Sequence, residues 1–252
     1  DVDDVDLEYT ASVDGNASVS IDGSSLSIAP YLNYHGDIAV SVTVSDGQLT
    51  DSGSFTLAVN PVNDAPVLDS ISDFDFDEDE STSITVNATD IDEDPLTYSC
   101  SPQGANIFCS VVGSEIIFTS ILDYNGTETV RIEVSDGDMP DFQDVAVTVN
   151  PVNDAPIAED IEENVDEDGI LTFEFDGSDV DEGDFLSYHL IDLPANGIVT
   201  NHDDGTATYT PNPEYNGLDS LSYKVNDQTE FSDDPPATVL ITVISSDDPP
   251  IL

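Results

Sequence analysis

The chain has 252 residues and carries 55 Asp plus Glu against 2 Lys plus Arg, a formal net charge of -53. That charge excludes nucleic acid and anionic membranes as partners, because both are bound through basic patches and Arg131 and Lys224 are the only basic side chains in the sequence. A hydrophobic fraction of 38% still allows several small cores, provided that a hard divalent cation or high salt neutralises the carboxylates.

The chain opens on "DVDDVDLEY", and the same D-x-D followed by a Leu-x-Tyr strand returns as "DIDEDPLTY" from 90 and "DVDEGDFLSY" from 179, so the starts lie 89 residues apart. A second landmark follows in each copy: "YLNYHG" at 31–36, "ILDYNG" at 121–126 and "NPEYNG" at 212–217, each preceding an alternating strand. Those strands close on "VSDG" at 44–47, "VSDG" at 134–137 and "VND" at 225–227. Between copies stand the joints, "PVNDAP" at 61–66 and 151–156, with "SSDDPP" at 245–250 in the same place of the pattern. The joints divide the chain into a partial copy, 1–60, two complete copies, 61–150 and 151–244, and the start of a next linker, 245–252. Copy one lacks the stretch that precedes D-x-D in its siblings, so either the chain is a fragment of a longer array or its first two strands are supplied by something else.

The segments between landmarks alternate with period two, as in Ile38, Val40, Val42 and Val44, in Val130, Ile132 and Val134, and in Val145, Val147 and Val149. Short β-branched runs separated by Gly, Asn, Asp and Pro turns, without helical periodicity, predict an all-β fold of tandem seven-stranded Greek-key β-sandwiches with a truncated first copy. Cys100 and Cys109 have neither the spacing nor the histidine neighbours of a zinc site. In an oxidising compartment they form a disulfide across a hairpin; otherwise they are two free or buried thiols. No apolar run approaches the ~18 residues of a membrane span.

The recurring acids carry the chemistry. Asp90 and Asp92 lie in a turn after a strand, Asp136 ends a later strand, and Asn63 and Asp64 lie in the joint. In a seven-strand sandwich these loops project from one pole. Calcium takes six to eight oxygen ligands from carboxylates, amides, backbone and water, which this set supplies. The opposite pole has its own recurring acids, Glu78 and Glu167, together with Asn33, Asp123 and Glu214 ahead of the Tyr-x-Gly landmark. An EF-hand reading of "DIDEDPLTY" fails, because the Gly at the sixth position and the Glu at the twelfth are absent.

In the order of these motifs the chain resembles the cadherin repeat with its acidic linker, and most closely the bacterial cadherin-like tandem repeats of large secreted surface adhesins. The resemblance implies calcium held between repeats by the base of one copy, the linker, and the top of the next. Carried over by position, the second joint uses Glu78 and Asp123 from the base, Asn153 and Asp154 from the linker, and Asp179, Asp181 and Asp227 from the top. The first joint uses Asn63, Asp64, Asp90, Asp92 and Asp136, and is expected to bind ions more weakly because Asn33 stands where the base acid should be. Asp1, Asp3 and Asp46 form a top without a linker above it, and Glu167, Glu214, Asp247 and Asp248 a base without a top below it. "VNDAP" has one acid fewer than the cadherin linker, which leaves the number of ions per joint open.

Tyr34, Tyr124 and Tyr215 read as corner tyrosines that fix a loop rather than as platforms for a sugar. His35, His189 and His202 share no repeat position, and there is no nucleophile elbow or phosphate loop, so the chain does not read as an enzyme. The leading expectation is a calcium-rigidified extracellular spacer or adhesion region of a large bacterial surface or secreted protein. Its partners are then the neighbouring repeats of the same chain, with a cell-surface or matrix polysaccharide or protein as the further target. Two alternatives are a carbohydrate-binding module, for which a chain without Trp offers no strong aromatic platform, and a filament subunit completed by strands from a neighbour.

Overall fold

The computed structural model describes residues 6–181 and 183–247, and among these there is no helix. The chain divides into two compact units, Asp1–Val149 and Asn150–Leu252.

Unit one holds copies one and two. In copy one, β1 (Glu8–Val13), β4 (Gly36–Ser45) and β5 (Thr50–Val59) form one antiparallel sheet in the order β1-β4-β5, and β2 (Ala17–Asp22) pairs with β3 (Ser25–Pro30) in a hairpin. Copy two adds four elements before this pattern: β6 (Val67–Leu68), β7 (Phe74–Asp77), β8 (Ser81–Thr85) and β9 (Ala88–Thr89). Then come β10 (Thr97–Pro102), β11 (Ile107–Val112), β12 (Glu115–Ser120), β13 (Gly126–Ser135) and β14 (Pro140–Asn150). They assemble as a four-stranded sheet, β10-β13-β14-β7, facing a three-stranded sheet, β11-β12-β8, with β6 and β9 as a short extra pair. Successive strands cross repeatedly from one sheet to the other, which is the Greek-key path anticipated from the sequence.

Unit two repeats the plan. Its sheets are β16-β23-β22-β19 and β17-β21-β20, with β15 paired to β18. The ranges are β15 (Ile157–Ala158), β16 (Ile161–Asp166), β17 (Leu171–Glu174), β18 (Gly177–Ser178), β19 (Ser187–Asp192), β20 (Gly197–Asn201), β21 (Thr206–Pro211), β22 (Gly217–Asn226) and β23 (Ala237–Ile244). Strand β16 runs parallel to β23, Ile161 opposite Val239, and the other sheet pairings in this unit are antiparallel.

The period-two pattern becomes the core. Val130, Ile132, Val145, Val147 and Val149 from one sheet are buried against Ile116 and Phe118 from the other, with Phe74 set edge-on to Phe118 at 5.0 Å. Burying each such side chain contributes about 1.5–3 kcal/mol, which is how a chain of this charge stays compact. Copy three buries a more aromatic set, including Phe173, Phe175, Tyr209 and Tyr223. Among the described residues of copy one, the buried core is Ala17, Ile38 and Val40, and Val42 is half-buried. In copy two β8 covers the edge of β12 and β7 the edge of β14, whereas among the described residues β3 and β5 have no such neighbours, so less of copy one is shielded from solvent.

Cys100 and Cys109 form a disulfide. It does not cross a hairpin. It ties β10 in one sheet to β11 in the other, because the two strands are consecutive in the chain but lie on opposite faces of the sandwich.

Candidate metal centre

The D-x-D turn is a self-capping device. In copy two, Asp90 Oδ1 accepts the backbone N–H of Asp92 (2.9 Å) and of Asp94 (3.3 Å), which fixes the carboxylate against its own turn. Its other oxygen, Oδ2, is shielded from solvent and has no hydrogen-bond partner. Asp92 reaches the linker instead, accepting the Asp64 N–H at 2.7 Å. Asp136 Oδ1 accepts the N–H groups of Asp138 and Met139, both at 2.7 Å, and its Oδ2 accepts the Asn63 amide at 2.9 Å. Asn63 thus shares its amide nitrogen between Asp136 and the Asp64 carbonyl (3.3 Å), which ties the linker to the turn.

Unit two builds the same net from its own residues. Asp179 Oδ1 accepts the Asp181 N–H (2.9 Å) while its Oδ2 is again shielded and unpartnered, and Asp181 Oδ2 accepts the Asp154 N–H (2.8 Å). Asp227, 3% exposed, accepts Thr229 and Glu230 N–H groups on Oδ1 at 2.6 Å each and the Asn153 amide on Oδ2 at 2.8 Å. The linker and top residues expected from the repeat pattern therefore converge in both complete copies. In copy one, Asp46 shows the same turn, accepting Gln48 and Leu49 N–H groups. Asp1, Asp3 and Asp248 lie outside the described residues.

At Asp136, Asp46 and Asp227 these contacts favour the charged carboxylate. The Met139 N–H, the Asn63 amide and the Asp138 N–H hold Asp136 below the usual carboxylate range, as the Leu49 and Gln48 N–H groups hold Asp46. Burial works against ionisation at Asp227, yet the Glu230 N–H, the Asn153 amide and the Thr229 N–H together still hold its carboxyl low. Asp184 goes the other way: desolvation, then the charges of Asp179, Asp181 and Asp227, push its carboxyl up. The sequence reading did not single out Asp184. Its signal is the one-residue expansion of "DIDEDP" to "DVDEGDF", invisible until the turn is folded.

At the base pole, Glu78 and Glu167 are buried, 2% and 6% exposed. Glu167 Oε1 accepts the Ser246 N–H at 2.7 Å, next to Asp247. Asn33, Asp123 and Glu214 share a left-handed backbone with φ of 58°, 54° and 61°, a strained conformation that recurs at functional loops. The loop is held by its tyrosine, since the Tyr34 hydroxyl donates to the Asp37 carbonyl (2.8 Å) and that of Tyr215 to the Leu218 carbonyl (2.6 Å). Gly126 shows the same fit: a Cβ there would meet the Tyr124 hydroxyl at 2.7 Å. Asp79, also unmarked in the sequence, accepts the Asp123 N–H at 3.3 Å.

Within unit one the first joint brings its three layers together. Asn33 from the base of copy one, Asp64 from the linker and Asp92 from the top of copy two line one cavity of about 230 Å³, and Asn33, Asp64 and Asp90 line a second of about 450 Å³. The residues assigned by register to the second joint divide between the units, with Glu78 and Asp123 in unit one and the other five in unit two. The donors at both tops are all oxygen, and the orphaned Oδ2 atoms of Asp90 and Asp179 are what a hard cation such as calcium would satisfy; zinc would call for Cys or His.

Fold and site together define a tandem of immunoglobulin-like β-sandwiches with cadherin-like acidic ends. The chain belongs to the bacterial Ig domain family, whose model matches residues 63–150 and 153–242. Among solved structures, the chain is similar to human protocadherin-24 EC1-2 (22% identity, TM-score 0.53, 74% of this chain and 100% of that one). It is also similar to human CDH23 EC21-23 (17% identity, TM-score 0.53, 94% of this chain and 88% of that one). At these identities the likeness concerns the fold. An endo-fucoidan hydrolase of glycoside hydrolase family 107 also aligns, at 18% identity and a TM-score of 0.33; it covers 96% of this chain, which spans 39% of the hydrolase, and carries no functional argument. Comparison with curated proteins gave no match.

Proposed function

We propose that this region is a calcium-stiffened spacer in a larger bacterial surface or secreted protein, with calcium bound where the linker meets an acidic top. One observation carries the reading: the same D-x-D oxygen, Asp90 Oδ2 in copy two and Asp179 Oδ2 in copy three, is sequestered without a partner, while the adjacent carboxylate already grips the linker N–H. Leaving such an oxygen unmatched costs free energy that a divalent cation offsets. Asn63, Asp64, Asp90, Asp92 and Asp136 hold the ion at the first joint. At the second, Asn153, Asp154, Asp179, Asp181 and Asp227 do so, with Glu78 and Asp123 assigned by repeat register alone. Calcium supplies positive charge between carboxylates that otherwise repel; the residues of the chain orient the linker, and backbone and amide N–H groups hold Asp136 and Asp227 in the charged form.

Bacterial Ig domains and a disulfide fit an extracellular or surface location, and among the described residues no helix is long and apolar enough to cross a membrane. The immediate partners of each repeat are its neighbours in the chain, and the adhesion target, a polysaccharide or protein, is read elsewhere. X-ray scattering of the chain in chelator and in millimolar calcium tests the proposal. An increase in maximum dimension with calcium is expected, and an unchanged dimension would overturn it.

A further inference from the structure

Large apolar side chains stand in solvent on both sides of the first joint. Leu32 is 91% exposed at the base of copy one, and Val67 and Ile91, at the top of copy two, are each 60% exposed. The exposure of Leu32 is built into its loop. The Tyr31 carbonyl accepts the Tyr34 N–H at 3.1 Å, the Tyr31 N–H donates to the Asn16 carbonyl at 3.1 Å, and Asn33 takes its left-handed φ of 58°, so a fixed turn presents Leu32 at its tip.

The groove of about 450 Å³ opens beside that tip. Asn33, the residue after Leu32, lines it from copy one, and Ala65, Val67 and Ile91 line it with apolar groups from the linker and the top of copy two. Asp64 and Asp90 complete the lining, with Asp90 held by its own turn. Val67 pairs with Thr89, which brings β6 beside the turn that carries Ile91. The hinge that sets the width of the groove is short: Asn63 and Asp64 are tied to copy two through Asp136 and Asp92, which leaves residues 60–62 to bend. Residue 33 matters as well. Closing over it takes its side chain out of water, which costs far more for a carboxylate than for an amide, and Asn33 stands where the later copies carry Asp123 and Glu214.

We propose that Leu32 and the groove lining of Ala65, Val67 and Ile91 form an apolar latch that clasps the first joint without an ion. Rotation about residues 60–62 seats the leucine in the groove and takes three exposed apolar side chains out of water together, a gain proportional to the apolar area covered. The latch stands apart from the calcium reading. It stiffens the joint whose base lacks an acid, and it tightens in sulfate, which strengthens apolar burial while screening ion pairs. Leu122, Ile157 and Val180 repeat exposed apolar side chains at the equivalent positions of the second joint, but there Asp123 takes the place of Asn33, so the clasp belongs to the first joint.

The test measures distances between two spin labels by pulsed electron paramagnetic resonance, on the full chain in chelator. The labels go on thiols introduced as Ser20→Cys in copy one and Ser110→Cys in copy two, both exposed, while the native cysteines are joined to each other. Leu32 and Ile91 lie outside the buried cores, so Leu32→Ser and Ile91→Ser keep both sandwiches folded. With Leu32 present a narrow distance population is expected, and it should grow in sulfate. Leu32→Ser, and separately Ile91→Ser, should lower the ratio of that population to the broad one by about tenfold. Leu122→Ser, at the base of copy two, should leave the distribution as it is. Distributions that are the same with and without Leu32, or a single broad population in the chain that has it, overturn the latch. A chain that takes up no calcium would sink the spacer reading and leave each of these outcomes unchanged, since none uses the ion.

Discussion

Removing the disulfide of copy two has a calculable effect. The bond joins residues nine apart, Cys100 on β10 and Cys109 on β11, and so closes a short loop across the two sheets. Closing a loop of about ten residues removes chain entropy from the unfolded state equivalent to about 2.6 kcal/mol at 25 °C. Since the urea dependence for a domain of this size is about 1 kcal/mol/M, the midpoint of copy two should fall by roughly 2.6 M in a Cys100→Ala, Cys109→Ala chain. Hydrogen exchange read peptide by peptide across a urea series, in calcium, assigns the change to its copy. Peptides from β12 and β14 should lose protection early, and peptides from β21 and β23 should keep the wild-type midpoint, because copies one and three contain no cysteine. A fall of less than about 0.5 M in copy two, or an equal fall in copy three, would refute the loop-entropy reasoning.

Two further predictions concern pH. Asp136 is depressed in the folded state by the Met139 N–H and the Asn63 amide, so its contribution is present above the unfolded value of about 3.9 and lost as pH falls through the lower folded value. Asn63→Ala should make the acid limb of copy two shallower in chelator, which parallel melting curves for the two proteins between about pH 5 and pH 2 would contradict. Burial pushes the Tyr223 phenol up to about 12, and its hydroxyl donates to the Glu159 and Asp176 carbonyls. That stabilisation is present below the ordinary tyrosine value of about 10 and lost as pH rises toward the folded one, so unit two should weaken across that window, and Tyr223→Phe should lessen the pH dependence, leaving the part carried by the likewise raised Tyr209 and Tyr188, while lowering stability at neutral pH.

Much of the architecture was legible without coordinates because it rests on short-range physics. Alternation in Val130, Ile132 and Val134 specifies a strand with one buried face, and the 89-residue repetition specifies that whatever one copy does the next does also. The linker and top acids could be named from register for the same reason. Three things could not be read this way. Spacing alone suggests a hairpin for the disulfide, because sequence neighbours are often sheet neighbours, whereas the Greek-key path puts β10 and β11 on opposite faces. Asp79, with its counterpart Asp168 at the repeat spacing, stands in a run of acids that spacing alone does not rank, and Asp184 follows an inserted residue, so only the folded turns bring them to Asp123 and to Asp179.

By itself, then, the sequence determined the strand-forming pattern, the 89-residue repetition and the strong acidity, all of them properties of residue type and spacing. Tertiary structure decided which oxygens are hidden and unmatched. Burial and hydrogen-bond satisfaction depend on groups distant in the chain, such as the Asn63 amide that meets Asp136 and the Asn153 amide that meets Asp227. An oxygen's partners, unlike its spacing, exist only once the loops have been brought to the same pole.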